Sequence, residues 1–360
     1  MATETSLAYR IHLHERGPTS AEGIMRNLKL EEVPKPQPRA GQVLVRMKAA
    51  ALNYRDLLVA TDDERYKTRT VAPVVPLCDG AGVIERVNAG PGSSRWQVGD
   101  RVLVAAASDW KSAEPSTDGE MDNTRVIGAS NIDGVLQQYV VANEDAVIPA
   151  PDGLSYEEVA CLGGAYATAW NALYGWYVTL KKGDVVVVQG TGGTSTAVLQ
   201  ASFAAAAGAQ VIVLSSSHEK TEAAKRLGAT HGLDSNDPEW DVKVRELTGG
   251  RGADHVVDVV GASTIIRSLR AARPGGLVSA VGFLGGPEKN DLTLDIILGL
   301  KTIRGIVYAS IPMLENMSAF VQKHGIKPVV GHVFEWAQAG EAYAALLNLN
   351  TTGKVVIKIE

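Results

Sequence analysis

The stretch Val185-Val186-Val187-Val188-Gln189-Gly190-Thr191-Gly192-Gly193-Thr194-Ser195 constrains this chain more than any other part of it. Four consecutive valines offer water no polar face, so they suit a strand covered on both sides, as in a parallel sheet between helical layers. A glycine-rich turn follows, and a helix is expected from about Thr194. That arrangement presents free N–H groups and the positive end of a helix dipole to an anion. Gly190 makes the tight turn, Gly192 lets backbone approach a pyrophosphate, and Gly193 and Thr194 lead into the helix. The third glycine of G-x-G-x-x-G is here Ser195, still small enough for close helix–strand packing. Placed between strand and helix, the turn predicts dinucleotide binding; a tight turn without ligand is the bland alternative.

The surroundings support a doubly wound α/β domain. Strand-like runs at Val185–Gln189, Gln210–Leu214, His255–Val259 and Leu277–Gly282 alternate with helical segments at Thr196–Ala207, His218–Leu227, Glu239–Thr248 and Thr264–Ala271. The pattern begins after Ser155, which with Glu158 forms a capping box. Before it, Gln42–Ala49, Gly82–Val87 and Asp100–Ala106 read as strands of a β-rich unit, and Ser108–Asp133 as a long polar loop. After it come a helix at Met313–His324, β residues at Gly331–Trp336, a helix at Glu341–Leu347 and a last strand at Lys354–Ile359. His12 and His14 read as one face of an N-terminal strand.

Charge and cysteine content narrow the function. With 35 Lys plus Arg against 40 Asp plus Glu, the chain has no basic excess for nucleic acid or an anionic membrane. No apolar run reaches the roughly 20 residues that span a bilayer, and no signal peptide is visible, which predicts a cytoplasmic protein. Two cysteines exclude a disulfide framework and a four-cysteine structural zinc site. No nucleophile elbow or hydrolytic triad is evident.

The second strand predicts which cofactor is held. An acidic residue at its end would select NAD by binding the ribose 2′-hydroxyl. Here that place is Ser215, followed by Ser216, Ser217, His218, Glu219 and Lys220. Hydroxyls and the Lys220 ammonium suit a 2′-phosphate, so NADP(H) is expected. Ser216 is equally readable as the helix N-cap, with Glu219 completing a capping box.

Taken together, these residues resemble the medium-chain dehydrogenase/reductase superfamily over essentially the whole chain. Gly80-Ala81-Gly82-Val83-Ile84, Val98-Gly99-Asp100-Arg101-Val102, Leu227-Gly228-Ala229, Gly249-Gly250-Arg251-Gly252-Ala253-Asp254 and Gly353-Lys354-Val355-Val356 carry the resemblance with the glycine turn. It implies a GroES-like β-rich catalytic domain from residues 1–160 and 308–360, and an inserted Rossmann domain from 161–307. It also matches Thr168, Gly282 and Phe283 to positions near the nicotinamide, while Gly261 is expected beside the adenine-side ribose or the nicotinamide linkage. The family's catalytic zinc ligands fall on Asn53, Cys78 and Gly164. One sulfur does not replace three ligands, so no metal is expected, and the chain looks like the zinc-free quinone oxidoreductases and alcohol-dehydrogenase-like reductases.

Without zinc, hydrogen-bond donors must stabilise the oxygen charge that hydride addition creates. Asn53 is expected as oxyanion donor and Tyr54 as proton donor, with Arg55 beside them; the alternatives are an Arg55–Asp56 ion pair and a core role for Tyr54. Tyr66 reads either as a wall of the substrate mouth or as a surface tyrosine, and Cys161 as a buried small hydrophobe. The implied activity is hydride transfer from NADPH to a quinone, enone, aldehyde or ketone, in a homodimer by analogy with similar reductases. Alcohol oxidation by a zinc-free enzyme and an idle NADPH-binding protein are the competing expectations.

Overall fold

The structure, a computed structural model, describes residues 4–112, 125–175, 177–200, 208–286, 289–348 and 351–360. The chain divides into two compact units, Met1–Ala167 with Tyr308–Glu360, and Thr168–Val307.

The first unit is the GroES-like part. A pair, β1 (Thr5–Ile11) with β2 (Leu28–Pro34), stands apart from a seven-stranded sheet. The sheet consists of β3 (Gln42–Ala51), β4 (Asp79–Asn88), β5 (Arg101–Val104), β6 (Tyr139–Asn143), β7 (Val147–Pro149), and, from the end of the chain, β14 (Val330–Phe334) and β15 (Lys354–Lys358). β3 is its hub: it runs antiparallel to β4, to β6 through its first half, and to β15 through Ala49–Ala51. Its alternation buries Val43, Val45 and Met47 in a core completed by Leu57, Ile84, Val102, Tyr343, Val355 and Ile357. Because Val356 pairs with Ala51, Lys354 is carried to the residues that follow β3.

The Ser155–Glu158 capping box forms as expected and opens the helix Tyr156–Ala160. A π-helical turn, Leu162–Tyr166, follows, and its Gly163 and Gly164 pack on Asp79 of β4. That contact groups residues 161–167 with the first unit, so the boundary falls at Ala167 rather than at 160. β1 ends at Ile11, which leaves His12 and His14 beyond the strand with their rings stacked 5.9 Å apart. Residues 113–124 of the polar stretch Ser108–Asp133 lie outside the described residues.

The second unit is a six-stranded parallel sheet. Its strands are β8 (Val185–Gln189), β9 (Gln210–Ser215), β10 (His231–Asp234), β11 (Ala253–Asp258), β12 (Ala272–Ala280) and β13 (Thr302–Gly305), in the order β10-β9-β8-β11-β12-β13. In chain order this is 3-2-1-4-5-6, the Rossmann winding, which reverses between β8 and β11. β10 and β13 were not foreseen, since His-Gly-Leu-Asp and Thr-Ile-Arg-Gly are too short and too polar to stand out. The helix after β8 starts at Gly193 and is described to Leu199; the remainder of the segment expected to be helical, 201–207, lies outside the described residues.

Candidate active site

The glycine turn sits at the carboxyl end of β8, beside the point where the strand order reverses and ligands of such sheets bind. Gly190 has φ +75°, a conformation that glycine adopts without strain. Gly192 is the N-cap of the helix Gly193–Leu199 and has ordinary extended backbone. Among the described residues nothing lies within 4 Å of where its Cβ would be. An open space over three N–H groups that lack helical partners fits a pyrophosphate. Ser195 replaces the third glycine by turning inward: its Oγ donates to Gln189 O at 2.7 Å.

Across the switch point, Asp258 is fully buried and accepts from the N–H of Gly261 (2.8 Å), Thr264 Oγ1 (2.9 Å) and Ser268 Oγ (2.6 Å). These bonds fix the turn after β11. Gly261, at φ +93°, then lies against Gly282: a Cβ on Gly261 would come 2.7 Å from Gly282 O. A Cβ on Gly282 would run into Val259 O. Phe283, next to it, is 42% exposed. Thr168 lies in the first turn of the helix Ala167–Tyr174 and is buried.

At the end of β9, Ser215 Oγ accepts from the N–H of Ser217 at 3.4 Å. The cap of the next helix, His218–Arg226, is Ser217, which accepts from the N–H of Lys220. The cap expected at Ser216 is therefore one residue early, and Glu219 completes no capping box; Ser216 is exposed. Asp234 of β10 pairs in register with Ser215, but its carboxylate accepts from the N–H of Asn236 at 2.9 Å.

The first unit holds a second polar cluster. Leu77 is buried with φ +68°, a left-handed conformation that side chains other than glycine's adopt only under constraint. The constraint is visible: Leu77 O accepts from the N–H of Val135 at 2.9 Å, and Gly128 and Gly134 lie so close on it that neither has room for a Cβ. The kink turns Cys78 and Asp79 inward, both with no exposure. Asn53 Nδ2 donates to Asp79 Oδ2 at 3.0 Å and lies 3.8 Å from Cys78 Sγ. Lys354 Nζ donates to Leu52 O (2.7 Å), Asn53 Oδ1 (2.6 Å) and Asp79 Oδ2 (3.1 Å). Burial, and then the charge of Asp79, push the Cys78 thiol well above its ordinary range, so it stays protonated. Burial likewise raises Cys161 to about 12.

Arg55 continues the cluster. Its Nη1 donates to Tyr308 Oη (3.0 Å) and Ile127 O (3.1 Å), and Tyr308 Oη lies 3.5 Å from Cys78 Sγ. Its Nε is 3.7 Å from Asp56 Oδ1, and the Tyr66 ring centroid is 5.6 Å from the guanidinium carbon. Asp56 is buried, and desolvation lifts its carboxyl to about 6 against the pull of Arg55. Tyr54 is half-buried and packs against the core, and its hydroxyl accepts from Arg65 Nη1 at 3.3 Å.

Of the three residues expected to act on substrate, Asn53 and Arg55 are thus joined through Cys78 and Tyr308, and Tyr54 is held by Arg65. The role foreseen for Asn53 needs a free amide hydrogen, but its two hydrogens face Asp79 and Cys78. Asp79, Lys354 and Tyr308 were missed. Lys354 could have been noticed as a lone cation opening the apolar strand Lys-Val-Val-Ile; Tyr308 carries no sequence signal.

The residues at the three ligand positions do not fit zinc. Asn53 is a poor donor, Cys78 is a single sulfur, and Gly164 has no side chain. A Cβ on Gly164 would lie 2.5 Å from Asp79 Oδ2. Among the described residues no group of three His, Cys, Asp or Glu side chains is placed to hold a metal ion, and no helix is long and apolar enough to cross a membrane.

Two family models match the chain. One is described as zinc-binding dehydrogenase and covers residues 180–323; the other, the alcohol dehydrogenase GroES-like domain, covers residues 39–152. The chain is 39% identical to a zinc-type alcohol dehydrogenase-like protein of Schizosaccharomyces pombe, over 92% of this chain and 95% of that one. It is 28% identical to a crotonyl-CoA reductase of Streptomyces avermitilis, over 92% and 81% of the two. A crystal structure from Sinorhizobium meliloti, provisionally described as an alcohol dehydrogenase, has a TM-score of 0.86 at 34% identity and covers both chains in full.

Proposed function

The chain belongs to the medium-chain dehydrogenase/reductase superfamily of oxidoreductases, and from that premise we propose an NADPH-dependent reductase of quinones, enones, aldehydes or ketones that works without zinc. One observation carries the zinc-free part despite the relatives' names: Asn53, Cys78 and Gly164 stand at the ligand positions and are closed over by Asp79 and Lys354. The 28% likeness to crotonyl-CoA reductase supports a reductive direction and an enone-like substrate. The alcohol dehydrogenase relatives favour a second reading, zinc-free alcohol oxidation with NADP.

Gly190, Gly192, Gly193 and Thr194 would hold the pyrophosphate. Ser215, Ser216 and Lys220 would hold the 2′-phosphate, with no carboxylate on β9 to oppose it. Gly261, Gly282, Phe283 and Thr168 would border the nicotinamide half. NADPH, when bound, supplies the hydride. The chain's own part is to meet the resulting oxygen charge with donors and a proton. Tyr54, half-buried and polarised by Arg65, is the proton donor in this reading. Arg55, held by Tyr308, supplies fixed positive charge, and Asn53 frames the site rather than donating to substrate. A homodimer in the cytoplasm completes the proposal, on likeness to similar reductases.

Fluorescence titration with NADPH and NADH, followed by a screen of quinones, enals and ketones, tests it. Tighter NADPH binding and NADPH oxidation by at least one class are expected. Tighter NADH binding overturns the cofactor assignment, and no turnover with any class overturns the reductase.

A further inference from the structure

In the zinc members of this family a divalent ion stands at the three matched positions. Here Lys354 Nζ donates to Asn53 Oδ1 at 2.6 Å, at the first position. Asn53 Nδ2 faces Cys78 Sγ, at the second. Lys354 Nζ also donates to Asp79 Oδ2 at 3.1 Å, and that same oxygen fills the space a side chain at Gly164, the third, would need. Its remaining hydrogen goes to Leu52 O at 2.7 Å, so the ammonium's three donors meet three acceptors. Lys354 is 3% exposed, and a lysine so enclosed is rare unless paired.

From this we infer that the Lys354 ammonium is the resident cation of the site, tethered by β15 as the counter-ion of buried Asp79, and that it positions the segment that begins the helix Tyr54–Thr61. The mechanical link is short. Lys354 grips Leu52 O and Asn53 Oδ1, the two residues before that helix, and the helix carries Tyr54 and Arg55. Asn53 is the N-cap: it forms a capping box with Asp56, whose carboxylate accepts from the Asn53 N–H at 2.7 Å, while its side chain also meets Lys354 and Asp79. With one positive charge removed, buried Asp79 would lose its counter-ion and Asn53 its anchor. Lys354 is assigned as a positioning residue, because its three hydrogens are spent on Leu52, Asn53 and Asp79.

The inference rests on the proposed reductase only for its kinetic arm, and the experiment separates the two. In full-length 15N-labelled protein, Lys354 is expected to give a slowly exchanging ammonium resonance, absent in Lys354→Met and shifted in Asn53→Ala. That readout needs no substrate. With the best enone or quinone found, Lys354→Met is expected to lower kcat at least about 30-fold, with KM and NADPH affinity within about 3-fold, while Lys354→Arg recovers most of the loss. If Lys354→Met does not fold, Lys354→Met with Asp79→Asn removes both buried charges, and it is expected to fold yet stay slow. No protected ammonium signal overturns the inference, as does wild-type kcat in Lys354→Met or in the double variant. Equal losses in Lys354→Met and Lys354→Arg also overturn it, since they mark a packing role. A protected signal in a protein that reduces nothing overturns the reductase and leaves the resident cation standing.

Discussion

Restoring even the first carbon of a ligand at position 164 should damage the first unit rather than rebuild a metal site. In Gly164→Ala the new Cβ would sit 2.5 Å from Asp79 Oδ2 and 2.7 Å from Asp79 Oδ1, against roughly 3.4 Å for ordinary contact. Asp79 must move, and it is held by Asn53 and Lys354 with no exposure to water. Overpacking of this kind costs about 1–3 kcal/mol. Weakening a charge-assisted hydrogen bond adds about 1.5–3 kcal/mol. Replacing a helical glycine by alanine returns about 1 kcal/mol. The net is a destabilisation of about 1.5–5 kcal/mol, which for a domain of about 150–250 residues lowers Tm by about 3–20 °C. Calorimetry alongside urea unfolding followed by tryptophan fluorescence would measure it. Gly163→Ala is the internal control: its Cβ would lie 3.3 Å from Asp79 Oδ1, so a change below about 1 kcal/mol is expected. If Gly164→Ala matches or exceeds the wild type in stability, Asp79 swings freely and the locked cluster is not real.

Three further outcomes can be checked. Gly192→Ala should leave Tm unchanged, because its backbone suits alanine and its Cβ meets nothing, yet weaken NADPH at least about 10-fold, or about 1.4 kcal/mol, by filling the phosphate space; isothermal titration and thermal melting together read both. Ser215→Asp with Lys220→Ala should turn the NADPH preference toward NADH by placing a carboxylate where a ribose diol is held, measured as the ratio of the two Kd values. Asp56 titrates near 6 when folded and near 4 when unfolded, so its stabilising contribution is present below about pH 4 and is lost as pH rises through 6. Asp56→Asn removes that dependence, and its stability relative to wild type should rise by roughly 2–3 kcal/mol between pH 4 and pH 7 in urea titrations.

The strand–turn–helix at the glycine turn was legible because its signals are local. The valine run and the glycine turn are contiguous, and the buried strand and the helix form where they are expected. The failures there are of one residue or of weak signal: the cap at Ser217 rather than Ser216, and the strands β10 and β13, whose polar residues gave no periodicity. The other cluster joins residues 53, 78–79, 164, 308 and 354, brought together only by the return of the chain end through β15. Sequence pattern found the positions that a family resemblance names, Asn53, Cys78 and Gly164. It did not find Asp79, Lys354 or Tyr308, whose roles exist only through long-range contacts. Nor does it reveal that the Asn53 amide meets Asp79 and Cys78, since a free donor and an engaged one are the same letter.

The central claim is that this oxidoreductase moves hydride with protein donors where its relatives' names imply zinc. The direct test is NADPH oxidation by the best substrate in protein whose metal content has been measured, before and after dialysis against a strong zinc chelator. Turnover unchanged by the chelator in protein holding less than about one zinc per ten chains is the predicted result. Stoichiometric zinc, with turnover lost on chelation and restored by added metal, would contradict it.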